Sequence, residues 1–278
     1  GLDRPMTRSF HRIACEGETL AASLDSGTEA TGLLIVSGGN EIRAGAHGGM
    51  AQLAGRVSEQ GFPVLRYDRR GIGESSGENR EFLGSADEIA AATQFLRQKQ
   101  PRVNKIIGFG NCDAATALAF FGPAAGIDGY LLANPWVIEA SGEPDSEKPL
   151  PSSAAIRSRY WDRIKNPRTI FDLLSGKIDF RKLLKGLKQA SRAEENRAIS
   201  IQLRDALPRL DGNSQILLAK RDTTARAFLA AWNSPDFATL RASTSITLET
   251  LDSASHSFAD EPARDWLTDK LMEALRQA

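Results

Sequence analysis

Histidine and cysteine are scarce in this chain, with three of the first and two of the second among 278 residues. That scarcity excludes a disulfide scaffold, since Cys15 and Cys112 fall on what read as separate strands. It also excludes a metal site, because His11, His47 and His256 are scattered and lack ligand spacing. A reducing compartment fits best. Net charge is lacking as well: 35 Lys and Arg balance 35 Asp and Glu. Bulk charge therefore gives no case for nucleic acid or a membrane surface. No apolar run approaches the roughly 18 residues that cross a bilayer. The opening GLDRPMTRSF lacks the apolar core of a secretory signal. Gly71, Gly73 and Gly77 do not have the G-x-G-x-x-G spacing of a dinucleotide site, so no cofactor is implied.

What is present suits one large α/β domain, or one domain with an insert: 41% hydrophobic and 25% charged residues. Residues 10–14 and 19–24 read as a hairpin. Apolar runs at 32–37, 63–67, 106–109, 129–133 and 215–219 read as buried strands, and 245–251 as a last strand with β-branched alternation. Between them, helical spacing marks residues 47–60, a second helix with Ser85 as a possible cap, and 223–232; another helix closes the chain. This alternation predicts a mostly parallel, eight-stranded, doubly wound sheet with helices on both faces. No convincing strand occurs between 135 and 212, where the composition reads as helical. We therefore expect a core of residues 1–134 and 213–278 with a helical lid insertion at 135–212. Residues 151–210 carry 14 Lys and Arg against 6 Asp and Glu. Such a surplus is either a solvated helical face or a surface that attracts an anionic substrate or carrier.

The organising stretch is KIIGFGNCDAATALAFF, residues 105–121. A buried strand breaks through Gly110-Asn111-Cys112-Asp113-Ala114 into an Ala-rich helix. This is the pattern of a nucleophile elbow, in which small residues flank an exposed nucleophile on a sharp turn. The nucleophile would be Cys112. The helix amino end should favour its thiolate and lower its pKa. Asp113 works against that effect, and could be neutralised by Arg43 or Arg69.

A thiol nucleophile needs a base, and the base an orienting acid. His256 follows the last strand, at the strand edge where functional groups of such sheets gather. His47 is a distant second. Asp222, directly after QILLA, is the acid that lies between nucleophile and histidine, and it also suits a helix N-cap before Thr223. The oxyanion donors would be the Asp113 N–H and an N–H of Gly39 or Asn40 in the glycine-rich loop. Asn40, Arg43 and Asn111 could contact substrate.

The SGGN loop, DRRGIGES, GNCDA, the Asp222 turn and SHSF occur in the order of the α/β-hydrolase superfamily, which the chain resembles over nearly its whole length. More narrowly, VSGGNEIRAGAHGGMAQLA, RYDRRGIGESSGEN, GFGNCDAA and LLANPWVIE resemble the exosortase A system-associated hydrolase type 1 family. That family occurs in bacterial gene clusters for exopolysaccharide biosynthesis and PEP-CTERM protein sorting. The resemblance implies an α/β-hydrolase fold and a cytoplasmic enzyme. The chain departs from the common hydrolase pattern at Cys112 and Ala114, where Ser and Gly are usual. Its cysteine is similar to that of dienelactone hydrolase in the nucleophile alone. Three functions follow as expectations. One is a thiol-dependent hydrolase of an ester, thioester or lactone, on a small-molecule or carrier-linked acyl substrate. The second is an acyltransferase that passes the same acyl group to a sugar or carrier hydroxyl. The third is a non-catalytic scaffold.

Overall fold

The computed structural model describes residues 8–137, 199–210, 214–243 and 245–278. The opening hairpin is β1 (Arg8–Cys15) and β2 (Glu18–Asp25). Glu16 and Gly17 turn it at φ 48° and 79°, the mirror-image turn whose twist matches that of paired strands. Then come β3 (Thr31–Val36), β4 (Val64–Tyr67), β5 (Lys105–Asn111), β6 (Gly129–Ala133), β7 (Ser214–Ala219) and β8 (Ile246–Leu251). The described helices of the core are α1 (Gly49–Glu59), α2 (Ala86–Lys99), α3 (Asp113–Ala125), α4 (Thr223–Trp232), α5 (Ala238–Ala242) and α6 (Glu261–Gln277).

The eight strands make one sheet in the order β1-β2-β4-β3-β5-β6-β7-β8. β2 pairs antiparallel with β1 and with β4, and all other pairs are parallel. Alternate strand residues divide between two helical layers. Leu33, Ile35, Ile107, Phe109, Leu131 and Leu217 share one core with Leu53 and Val57 of α1 and Leu267 and Leu271 of α6. On the other face α2 and α3 pack together. Gly108 permits that approach: a Cβ there would lie 3.1 Å from Leu118 of α3 and 3.2 Å from Ile127. Ser85 precedes α2 as expected, but its hydroxyl donates to the Phe82 carbonyl and makes no cap bond.

Parallel strands all end on one edge of the sheet. That edge collects Ser37 to Asn40 after β3, Asp68 after β4, Cys112 after β5, Asn134 after β6, Asp222 after β7 and His256 after β8. The chain divides into two compact units, Gly1–Val137 with Leu203–Ala278, and Ile138–Gln202. The expected helical lid at 135–212 lies almost wholly outside the described residues. Residues 199–206 are helical. Among the described residues no helix is long and apolar enough to cross a membrane.

Charge penetrates this core at β4. Arg66 is 2% exposed and Asp25 1% exposed. The Arg66 guanidinium stands 3.7 Å from Asp25 and donates to the Arg43 carbonyl at 2.6 Å; Arg8 meets the same carboxylate at 2.8 Å. Burial, helped by the charge of Arg8, pushes Arg66 down to about 10. It remains charged at neutral pH and depends on Asp25. Asp25→Ala strands that cation, so stability should fall by about 3–5 kcal/mol. Urea unfolding measures this directly; a loss below about 1 kcal/mol would show that Arg66 needs no counter-ion.

Candidate active site

The elbow starts from a backbone conflict. Cys112 has φ 62° and ψ −127°, outside the regions that suit a side chain and worth about 1–3 kcal/mol of strain. Its backbone is held from both sides. The Cys112 N–H donates to the Ala133 carbonyl at 2.9 Å, and its carbonyl accepts from Ala115 at 3.1 Å and Trp136 at 3.2 Å. Gly110 makes room: a Cβ there would lie 2.7 Å from the Ala114 carbonyl carbon and 2.9 Å from the Ala115 nitrogen. Ala114, fully buried, fits where glycine is usual.

The second component comes from β7 and β8. Nδ1 of His256 stands 3.0 Å from Oδ2 of Asp222. The same Asp222 oxygen accepts from the Ala225 N–H at 3.0 Å and caps α4. One carboxylate therefore caps a helix and orients an imidazole. With Nδ1–H donating to Asp222, Nε2 is left as the proton acceptor.

A pair of asparagines joins these components. Asn111, next to Cys112, donates from Nδ2 to the His256 carbonyl at 2.9 Å. Asn134 donates to that carbonyl at 3.1 Å and to Asn111 Oδ1 at 3.0 Å, while its own Oδ1 accepts from the Ala219 N–H at 2.9 Å. Asn134 is fully buried and has φ 42°, a conformation asparagine tolerates better than most residues. Asn111, expected to touch substrate, is instead spent on the histidine loop. Asn134 is not among the residues singled out from the sequence. The signal for it was an Asn placed at the carboxyl end of a parallel strand.

The loop after β3 departs from expectation. The Gly39 N–H donates to Oδ1 of Asp113 at 2.7 Å, so that candidate oxyanion donor is already occupied. Among the described residues the Asn40 N–H donates to nothing, and its side chain accepts from Asn79 at 3.1 Å. Asp113 takes Arg69 as its cation, at 3.4 Å. Arg43 is committed elsewhere. It meets the fully buried Asp68 at 2.5 Å, Glu74 at 2.5 Å and Ser23 at 2.9 Å. Its expected substrate contact is corrected to a structural one, because a buried carboxylate demands a partner.

The thiol expectation is overturned. The Cys112 pKa is not lowered but pushed up to about 12. Burial is the largest cause, and the Asp113 carboxylate follows, with Asp222 and Glu41 adding to it. The Asp113 N–H bonds the sulfur and lowers the value, but desolvation outweighs that single donor. Glu41, which the sequence did not single out, lines a small recess with Gly38, Asn111 and Phe258. Burial raises its pKa, while a bond from the Ala46 N–H and the nearby His256 oppose the rise.

The other histidines are not part of this cluster. His47 is exposed in the turn Ala46–Gly48, and His11 on β1 pairs with Ser9 at 2.7 Å. Among the described residues no group of three His, Cys, Asp or Glu could hold a metal.

Residues 33–267 match the model of the alpha/beta hydrolase family. The chain belongs to that family. Solved structures similar to this hydrolase include an esterase of Pyrococcus furiosus, at 13% identity and TM-score 0.60, covering 97% of this chain and 94% of that one. A thioesterase domain from the curacin biosynthetic pathway aligns at 13% identity and TM-score 0.57, covering 96% and 99%. A dienelactone hydrolase from Anabaena variabilis aligns at 13% identity and TM-score 0.59, covering 98% of each chain. No curated protein matches the sequence. At these identities the likeness shows the fold alone.

A raised thiol pKa has a direct consequence for reactivity, since only the thiolate is strongly nucleophilic. Iodoacetamide should alkylate Cys112 more slowly than a free thiol at about pH 7, with a rate still climbing above about pH 10. A rate that levels off below about pH 8 would reveal a resting thiolate and contradict the electrostatics above. Asn134→Ala leaves the Ala219 N–H unpaired and should cost about 1–3 kcal/mol of stability. Chemical denaturation against the native chain checks it.

Proposed function

We propose that this chain is a thiol-dependent hydrolase of an ester, thioester or lactone, acting through an acyl-cysteine at Cys112. One observation carries the reading. The strained elbow bearing Cys112 is tied through Asn111 to the backbone of His256, and the His256 imidazole is held by Asp222. The names of the similar structures, an esterase, a thioesterase domain and a dienelactone hydrolase, support the same class.

The mechanism follows from a thiol that rests protonated. As sulfur attacks the carbonyl carbon, Nε2 of His256 takes the thiol proton, and the carbonyl π electrons move onto oxygen. The Asp113 N–H, next in the chain to the sulfur-bearing residue, donates to that oxyanion with the Asn40 N–H. The intermediate collapses to acyl-Cys112, and His256 gives its proton to the leaving oxygen or sulfur. Water then attacks the acyl carbon, losing a proton to His256. The carbon–sulfur bond breaks and the thiol regains its proton. Asp222 orients the ring and stabilises the imidazolium throughout.

The resemblance of VSGGNEIRAGAHGGMAQLA and GFGNCDAA to the exosortase A system-associated hydrolases supports an acyl substrate drawn from exopolysaccharide assembly. It also supports action in the cytoplasm.

An activated acetyl ester should leave an acetyl group on Cys112, visible by mass spectrometry as a burst that precedes steady turnover. His256→Ala should slow that burst by about 10²–10⁴-fold. A burst of unchanged rate would remove His256 from the base role. Absence of any adduct on Cys112 with several activated esters would sink the hydrolase reading.

A further inference from the structure

Both polar groups of Gly39 are claimed by one ion pair. Its N–H donates to Asp113 Oδ1 at 2.7 Å, and its carbonyl accepts from the Arg69 guanidinium. Arg69 also faces Asp113 Oδ2 at 3.4 Å, which closes the ring Gly39–Asp113–Arg69–Gly39. The Arg69 side chain is only 3% exposed and that of Asp113 15%, so the ion pair is shielded from water, while the Gly39 N–H bond lies at the exposed end of the ring. The loop is also pressed against the elbow. A Cβ on Gly38 would lie 2.5 Å from the Asn111 carbonyl oxygen and 2.9 Å from Asp113 Oδ1. Gly39 itself adopts φ 54°, where glycine is at ease.

We propose that Asp113 and Arg69 are positioning residues that lock the loop after β3 onto the elbow, so that the Asn40 N–H, and not that of Gly39, is the second oxyanion donor. The inference rests on the hydrolase reading above. Asp113 therefore works at two atoms. Its backbone N–H faces the reacting centre, and its side chain sets the shape of the opposite wall. Arg69 has an electrostatic duty as well. A bare carboxylate beside a developing oxyanion would repel it, and the guanidinium cancels that field while holding the loop. A donor locked in place before reaction needs no reorganisation in the transition state, which is where oxyanion donors gain their effect.

The test uses the full chain with Asp113→Ala, Asp113→Asn, Arg69→Met and Arg69→Lys, each checked for a native thermal transition. The Asp113→Asn side chain keeps an oxygen acceptor for the Gly39 N–H, whereas Asp113→Ala removes it. Asp113→Ala should lower kcat on an activated acetyl ester by about 10²-fold, the usual loss for one oxyanion donor, with KM within about twofold. Asp113→Asn should recover about tenfold of that loss. Arg69→Met should lower kcat on the same scale, and Arg69→Lys should recover part of it.

Amide hydrogen exchange gives a readout that does not need turnover. The Gly39 amide should be protected in the native chain and in Asp113→Asn, and should lose about tenfold protection or more in Asp113→Ala. Equal kcat losses in the Ala and Asn variants, or unchanged Gly39 protection in Asp113→Ala, would overturn the clamp. A native chain that forms no acyl-cysteine would overturn the hydrolase reading instead, and Gly39 protection would still decide whether the clamp exists.

Discussion

Everything at the sheet edge depends on a single residue held where an L-amino acid does not rest easily. Cys112 has a positive φ because β5 must end and α3 must begin within one step. The strain persists because β6 and the chain after it bind the Cys112 backbone on both sides. Gly110 and Gly38 are the steric terms of the same arrangement. Each leaves room for backbone that a methyl group would strike. The elbow thus fixes where α3 starts, how closely the β3 loop can approach, and where Asn111 can reach toward the histidine loop.

Burial dominates the chemistry of this turn. A helix amino end offers a partial positive charge, but it acts on a sulfur that has left most of its water. Carboxylates at Asp113, Asp222 and Glu41 stand nearby and add to the effect of burial. The thiol rests as a neutral group, so in the proposed mechanism it needs a base at the moment of attack. The Asp222–His256 pair has that role in the proposed mechanism. A chain with no net charge thus carries a polarised site. The balance holds over 278 residues and fails locally.

The segment after β4 serves as the frame. Asp68 binds Arg43 of the preceding loop, Arg69 binds Asp113 of the elbow, and Arg70 binds Glu88 of α2 at 2.8 Å. Three consecutive charged residues thus reach three different elements. Each partner is buried or nearly so, which makes these contacts costly to break singly. Along the chain, the same residues look like a polar turn.

The architecture was legible in the sequence. Strands with continuous apolar runs, such as those at Leu33 to Val36 and Ile106 to Phe109, have one stable home, a parallel sheet covered on both faces. Gly-Asn-Cys-Asp-Ala announced the elbow because only small neighbours admit that turn, and chain order singled out Asp222 and His256. Periodicity and order are local properties, and a linear pattern can carry them. The fate of each polar side chain was not legible. Arg43 went to Asp68, Asn111 to the His256 carbonyl, and the Gly39 N–H to Asp113. Asn134 became a hub, and the Cys112 thiol was raised rather than lowered. Only tertiary structure decides such matters, because hydrogen-bond partners and desolvation depend on which groups the folded chain brings within about 3 Å, and residues far apart in sequence supply them.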